Sequence, residues 1–543
     1  MKASALDLDA EDPVRRGVSD GQQGNVAPSA GDAGARASFA PDAASWPVAM
    51  VAIVLVAIVA RVIGLNSGLW VDEIYSLVRS FRAPLANILT EFWGDNHHPF
   101  YAVLAHVSRG IFGESPWAVR LPAMLLGVAA VPALYRLGLL VVRQREALLA
   151  ALLLSVSYHH VWFSQNARGY SAIAFVSIVT MWALLRGVET GRTRYFVWYA
   201  VAAALGAYTH LTTIFVVVGH ALALLVYLLV PGRTIDRRAL WRGGALAFVL
   251  AAALTLLLYA PMLRQVLDFF LHRPSELRGV STPRWAFFEA IRVMVLGLGA
   301  GMAVVGGTVL AAGAVVGTSG VASFWKRNRL FVLMLAMPCL VTIAGAAAAR
   351  GTMYPRFFFF AIGPAMLLAV RGAYASCGWL AARLGRTTLG DPVATVGIVV
   401  VTLLSAASLS YNYRYPKQDF EGAMRVVLAE QRPGDAVVTT GLPADPYRML
   451  YGQSWANVAT TDELEAVRRG SARTWVLWTF PRYLELHAPE IDRILRDQCT
   501  DRRTFRGTVG GGDVLLCALP AVGARTPTSE GAPSVPAVPD PRQ

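Results

Sequence analysis

Short polar stretches interrupt an otherwise apolar chain, and each carries side chains able to move a proton or hold an anion. Leu69-Trp70-Val71-Asp72-Glu73-Ile74-Tyr75-Ser76 contains an adjacent acid pair, and Asp95-Asn96-His97-His98-Pro99-Phe100-Tyr101 an adjacent histidine pair. Ser115-Pro116-Trp117-Ala118-Val119-Arg120-Leu121-Pro122, Ser164-Gln165-Asn166-Ala167-Arg168-Gly169-Tyr170, His210 and Tyr354-Pro355-Arg356-Phe357 follow. A positioned carboxylate can take the proton of an attacking hydroxyl. An arginine fork matches phosphate, and histidine serves as a metal or phosphate ligand. Each feature also has a plainer explanation. Acids favour helix N-termini, Arg120 could snorkel at a membrane edge, and paired histidines are often surface residues. What points to function is the convergence of such groups from several spans at one depth, where ionisable residues are costly.

The elements that must carry these residues are membrane helices. Of 543 residues 55% are hydrophobic and only 15% charged, mean hydropathy is +0.47, and a soluble domain carries about 25% charged residues. Trp46–Leu65, Ala147–Phe163, Leu330–Ala349 and Pro392–Ser410 are apolar runs near the ~20 residues that cross a bilayer. The formal charge is +14, almost all of it arginine, since Lys2, Lys326 and Lys417 are the only lysines. These charges lie mainly in short loops between apolar runs rather than on one soluble face, which argues against a nucleic-acid partner. Residues 1–45 have no apolar period and read as a disordered cytoplasmic tail. The first apolar run starts late and lacks a small-residue cleavage site, so it reads as a retained span.

Basic clusters at Arg143/Arg145, Arg186/Arg192/Arg194, Arg233/Arg237/Arg238/Arg242, Lys326/Arg327/Arg329 and Arg383/Arg386 recur between spans and are placed inside by the positive-inside rule. The stretch between the second and third clusters would run about 54 Å as one helix, against a bilayer core of about 30 Å. It must fold back, and Tyr208–Thr213 is the expected turn. The loop Leu263–Phe287 carries Arg264, Arg273, Arg278 and Arg284 on the outer side against the rule, so these become candidate ligands. Parity makes Trp117–Val141 the second span and Pro99–Phe112 an interfacial or re-entrant helix within a large first outer loop, 66–116. About eleven spans result over 46–410, in the plasma (inner) membrane, with the N-terminus inside and the C-terminal domain outside.

After Ser410 the texture changes. Ala436–Thr440, Thr474–Phe480 and Asp513–Ala518 read as short strands and Pro489–Asp497 as a helix, giving a small extracytoplasmic α/β domain over 411–520. Residues 521–543 read as a disordered tail. Cys499 and Cys517 fall in this domain, where an oxidising outer location favours their pairing.

The order of acid pair, His-Pro-aromatic segment, Trp-Ala-Val-Arg-Leu-Pro, Gln-x-x-Arg-x-Tyr and late Pro-Arg-Phe resembles the GT-C superfamily of membrane glycosyltransferases. Within it, the chain is most similar to glycosyltransferase family 39, relatives of the protein O-mannosyltransferases and lipid A aminoarabinose transferases. The likeness covers roughly residues 46–375, and Pro416-Lys417-Gln418-Asp419-Phe420 to Pro433-Gly434-Asp435 resembles that family's soluble tail. It implies a polyprenyl-phosphate sugar donor, inverting transfer to an acceptor hydroxyl on a protein, lipid or glycan, and Asp72 as general base. Glu73, His97, His98, Arg168, Tyr170, His210 and Arg356 are the expected substrate-binding residues, with Arg168 and Arg356 on the carrier phosphate. Replacing Glu73 is expected to be milder than replacing Asp72, unless Glu73 binds a metal or fixes the loop. No cofactor is assigned, and a divalent metal is left open. Two departures bear on acceptor and carrier contacts: His98-Pro99-Phe100 stands where the family often has His-Pro-Pro, and Arg356-Phe357 where it commonly has Arg-Tyr. A transporter of a lipid-linked saccharide is the rival reading, but no internal repeat is visible.

Overall fold

The computed structural model describes residues 48–229, 236–272, 303–348 and 354–522. The expected tail 1–45, most of the tail 521–543, Arg233, Arg273, Arg278 and Arg284 therefore lie outside the described residues.

The chain is a multi-pass membrane protein. Among the described residues, seven helices are long and apolar enough to cross a membrane, eight if one bent pair counts as a span. The first helices are α1 (Val48–Val62), α2 (Val71–Ser76), α3 (Leu85–Thr90) and α4 (Pro99–Phe112). Then come α5 (Pro116–Val141), α6 (Gln144–Ser155), α7 (Tyr158–Ser164) and α8 (Tyr170–Thr190). They are followed by α9 (Thr193–Thr209), α10 (Thr213–Leu229), α11 (Arg237–Tyr259) and α12 (Leu263–Leu271). Further helices span Ala303–Arg327, Arg329–Ala348, Ile362–Arg383 and Gly390–Arg414. The α9–α10 turn falls within the expected Tyr208–Thr213.

One expected span is not straight. Ala147–Phe163 divides into α6 and α7, bent by 57°. The break frees backbone carbonyls, and polar side chains take them: Arg61 Nη1 donates to Ser155 O at 2.8 Å and Ser405 Oγ to Val156 O at 3.0 Å. Arg61 is fully buried and also donates to Ser164 Oγ at 3.1 Å. Gly127 of α5 makes room for this joint, since a Cβ there would stand 2.1 Å from Ser164 Oγ. Hydropathy does not register such a kink, because the residues that stabilise it are distant in sequence.

After the last long helix comes a helix Phe420–Glu430 and a five-stranded sheet. Its strands are β1 (Asp435–Thr439), β2 (Ala456–Asn457), β3 (Arg473–Thr479), β4 (Asp501–Phe505) and β5 (Val514–Pro520), in the order β2-β1-β3-β5-β4. The first three in that order are parallel, and β5 and β4 run antiparallel to their neighbours. Period-two alternation decides which core each side chain joins. Val437, Trp475, Leu477, Leu516 and Ala518 pack with Phe420 and with Leu69, Trp70, Val71 and Ile74 of the first loop. Val438, Val476, Trp478, Leu515 and Cys517 pack with Leu464, Ile491 and Leu495 on the other face. Cys499 and Cys517 are joined as a disulfide, with Cα atoms 5.6 Å apart.

Candidate active site

The adjacent acids of α2 occupy different environments. Glu73 is fully buried against an equally buried Arg120, whose Nε and Nη2 reach its two oxygens at 2.8 and 2.6 Å. The Ala167 N–H donates to Glu73 Oε1 at 2.6 Å and the Trp70 N–H to Oε2 at 3.3 Å. Arg120 gives its remaining donors to Leu65 O, Ser67 O and Gly68 O. Burial works to raise the Glu73 carboxyl, but Arg120, Lys417 and the Ala167 amide outweigh it and hold it below its usual range. A carboxylate so completely used has no contact left for substrate. Glu73, expected among the substrate-binding residues, has both its oxygens engaged by Arg120 and backbone amides. Arg120 does not snorkel, because it is the buried half of this pair.

Asp72 keeps 16% of its side chain exposed. Arg168 Nη1 lies 2.9 Å from Asp72 Oδ2, and Arg356 Nη1 lies 3.9 Å from the same oxygen. Arg168 is aimed by its other nitrogens, Nε donating to His98 Nε2 at 3.1 Å and Nη2 to Asn96 Oδ1 at 2.9 Å. His98 can accept there because its Nδ1–H donates to Thr209 O at 2.9 Å, which fixes the neutral tautomer. Burial, then Arg168 and His210, hold the His98 pKa well below the usual histidine value. His210 stacks 4.7 Å from His98, and its Nδ1 accepts from the Thr212 N–H and hydroxyl. Burial, Arg168 and Arg356 push it down to about 3. Tyr170 closes the cluster with its ring 5.3 Å from His210 and 5.9 Å from the Arg168 guanidinium.

Arg356 lies over the Tyr354 ring at 4.5 Å and stays one-third exposed. Among the described residues its Nε has no hydrogen-bond partner, and Arg168 Nη1 is held by the ion pair to Asp72. His97 is apart from this network. Its ring stacks on Trp93 at 5.8 Å, both ring nitrogens are unpartnered, and burial pushes it down to about 4. Arg264 is exposed on α12, and that helix meets the first loop through Gln265, which bonds Phe92 N and Thr90 O. Among the described residues, no group of three or more His, Cys, Asp or Glu side chains could hold a metal ion.

This geometry meets known proteins at the level of fold. A family model described as dolichyl-phosphate-mannose-protein mannosyltransferase matches residues 96–257. No curated protein matches the sequence. The archaeal oligosaccharyltransferase AglB from Archaeoglobus fulgidus, in complex with an inhibitory peptide and a dolichol-phosphate, superposes with a TM-score of 0.50. That superposition covers 89% of this chain and 75% of AglB, at 12% identity. ArnT from Cupriavidus metallidurans bound to undecaprenyl phosphate gives 0.49 over 89% of this chain and 99% of ArnT, at 15% identity. This chain has the GT-C fold.

On the GT-C frame the family match takes in His97, His98, Arg120, Arg168, Tyr170 and His210, while Asp72 and Arg356 lie outside it. The structure brings Asp72, His98, Arg168, Tyr170, His210 and Arg356 together and leaves Glu73 and His97 on separate walls. The segment Ser164–Arg168 is the hub. Gln165 Nε2 donates to Arg61 O and Ile63 O, Trp70 Nε1 donates to Asn166 Oδ1, and Ala167 and Arg168 serve Glu73 and Asp72. Sequence reasoning passed over Asn96, Thr209, Asn166 and Arg61. Asn96 and Asn166 stood inside quoted motifs and were available as signals, whereas a backbone carbonyl such as Thr209 O leaves none.

Proposed function

We propose that this chain transfers a sugar from a polyprenyl-phosphate donor to an acceptor hydroxyl on the outer face of the membrane, with inversion at the anomeric carbon. The observation that carries this reading is one partly open carboxylate, Asp72, set against Arg168 and a one-third-exposed Arg356. Asp72 takes the proton of the acceptor hydroxyl as its oxygen attacks the anomeric carbon. The bond from that carbon to the phosphate oxygen breaks, and the carrier leaves as a phosphate monoester with one more negative charge. A leaving group of this kind needs charge stabilisation rather than a proton, and Arg168 and Arg356 supply it through forked contacts. Neutral His98 and Asn96 hold Arg168 in that orientation, and Tyr170 and His210 wall the cluster. The likeness to AglB and the mannosyltransferase family match support a lipid-borne donor.

The same reading places the C-terminal domain outside. A reporter fused after Ser410 should be active only in its exported form, and cytoplasmic activity would overturn the placement. The central experiment compares the surface glycans and lipids of cells with and without the chain by mass spectrometry, then restores either the parent or Asp72→Asn. The parent should return the missing species and the variant should not, because loss of a general base costs about 10²–10⁴ in rate. Restoration by Asp72→Asn at the parental rate would remove Asp72 from the mechanism.

A further inference from the structure

The reaction scheme makes no use of Gln418 or Asp445, yet both reach from the C-terminal domain to the short helix that carries Asp72. Gln418 is 1% exposed. Its Oε1 accepts from the Val71 N–H at 2.9 Å. Val71 is the first residue of α2, and such an amide has no partner within its own helix. The other end of the Gln418 amide is fixed as well, with Nε2 donating to Thr479 Oγ1 at 3.0 Å and Gly512 O at 3.1 Å. Thr479 ends β3, and the next residue, Phe480, is the one non-glycine with positive φ among the described residues, at 52°. One turn beyond Val71, the Tyr75 hydroxyl donates to Asp445 Oδ2 at 2.6 Å. Asp72 lies between the two gripped residues. α2 runs on as a π-helical turn through Phe81, and a helical stretch this short is marginal alone, so its orientation rests on such contacts.

We propose that the C-terminal α/β domain is a positioning module for the reaction, in which Gln418 and Asp445 clasp α2 at two points and set the Asp72 carboxylate against Arg168. The helix is gripped at its first amide and one turn later, while Glu73 anchors its buried side to Arg120 and Ala167. Gln418 and Asp445 are positioning residues, and neither touches the reacting atoms. Their effect on turnover rests on the proposed role of Asp72, but the clasp itself can be tested without that role.

The test is hydrogen exchange by mass spectrometry on the full chain in lipid nanodiscs, read over peptides spanning residues 70–76. Gln418→Ala should speed exchange there by about tenfold, the effect of losing one stabilising hydrogen bond. Product formation in restored cells should fall, while binding of undecaprenyl phosphate, added as the probe, persists through Arg168 and Arg356. Gln418→Glu keeps the oxygen that accepts from Val71 and should recover part of the protection. Thr479→Val removes one of Gln418's own anchors without touching α2 and should give an intermediate rate. Tyr75→Phe should loosen the far end of the same segment. Unchanged exchange in both Gln418→Ala and Tyr75→Phe would overturn the clasp. Faster exchange with undiminished product would overturn its role in the reaction. Asp72→Asn separates the two ideas: if it retains product, the reaction scheme fails and the exchange rates alone decide the clasp.

Discussion

Asp72 and Glu73 are chemically near-identical neighbours placed in opposite surroundings. Glu73 is sealed from solvent with both oxygens saturated by Arg120 and two backbone amides. Asp72, one residue earlier, is partly open and meets Arg168 and the partly exposed Arg356. A buried ion pair whose partners satisfy each other fixes a loop, since removing one half strands a charge in the interior. A carboxylate that stays partly open can exchange its contacts for substrate. Burial thus separates the saturated carboxylate from the accessible one, the proposed base, within a single turn.

The largest effects should fall on this pair, in different observables. Asp72→Asn is expected to abolish product while the thermal midpoint stays near that of the parent. Glu73→Gln is expected to cost about 3–5 kcal/mol of stability, because it leaves the Arg120 charge buried without its partner. Thermal unfolding in nanodiscs alongside product mass would show it, and a stable, active Glu73→Gln would erase the distinction. This is the case excepted from the expectation that Glu73 replacement is the milder change, a residue that fixes the loop.

The next effect tests the outer side of the anchor. The sheet shares a hydrophobic core with Trp70, Val71 and Ile74, so loosening the domain should reach the first loop. Opening the 18-residue Cys499–Cys517 loop by Cys499→Ser should cost the domain about 3 kcal/mol. Faster proteolysis of residues 411–520 would report this, and an unchanged cleavage rate would make the bridge dispensable.

A smaller effect should appear at the open cluster. Arg356→Lys keeps the charge and loses the fork, so affinity for undecaprenyl phosphate should fall by about tenfold with folding intact. Unaltered affinity would assign Arg356 to packing on Tyr354.

The smallest is a pH dependence. His97, His98 and His210 are all held below their usual values by burial. Unfolded histidine titrates near 6.5, so between that pH and the folded values the unfolded chain binds more protons. Their stabilising contribution is complete above about 6.5 and is lost as pH falls, by at most about 1.4 kcal/mol per pH unit for each. Midpoints measured from pH 7.5 down to 5.0 should decline, and His97→Phe should flatten the slope. A parental slope in that variant would show that His97 does not titrate as described.

Much of the architecture is legible locally, because it depends on local composition and period. Apolar runs with basic ends gave the long helices, a proline after paired histidines opened α4 at Pro99, and short buried apolar runs gave β1, β3 and β5. Seven or eight of the described helices meet length and hydropathy together, and the eleven-span count goes beyond them. The α6–α7 bend was hidden because Arg61 and Ser405, distant in sequence, satisfy the carbonyls that it frees. The motif residues were also visible, for charged and amide side chains inside apolar runs are conspicuous when buried polar groups are costly. Which of the two acids is anchored was not visible. That depends on Arg120 lying 47 positions from Glu73 and the Ala167 amide 94 positions away, and on Gln418 lying 347 positions from Val71. Residue type and spacing determine what a side chain can do. Desolvation and partner geometry, which exist only once distant segments meet, decide what it does.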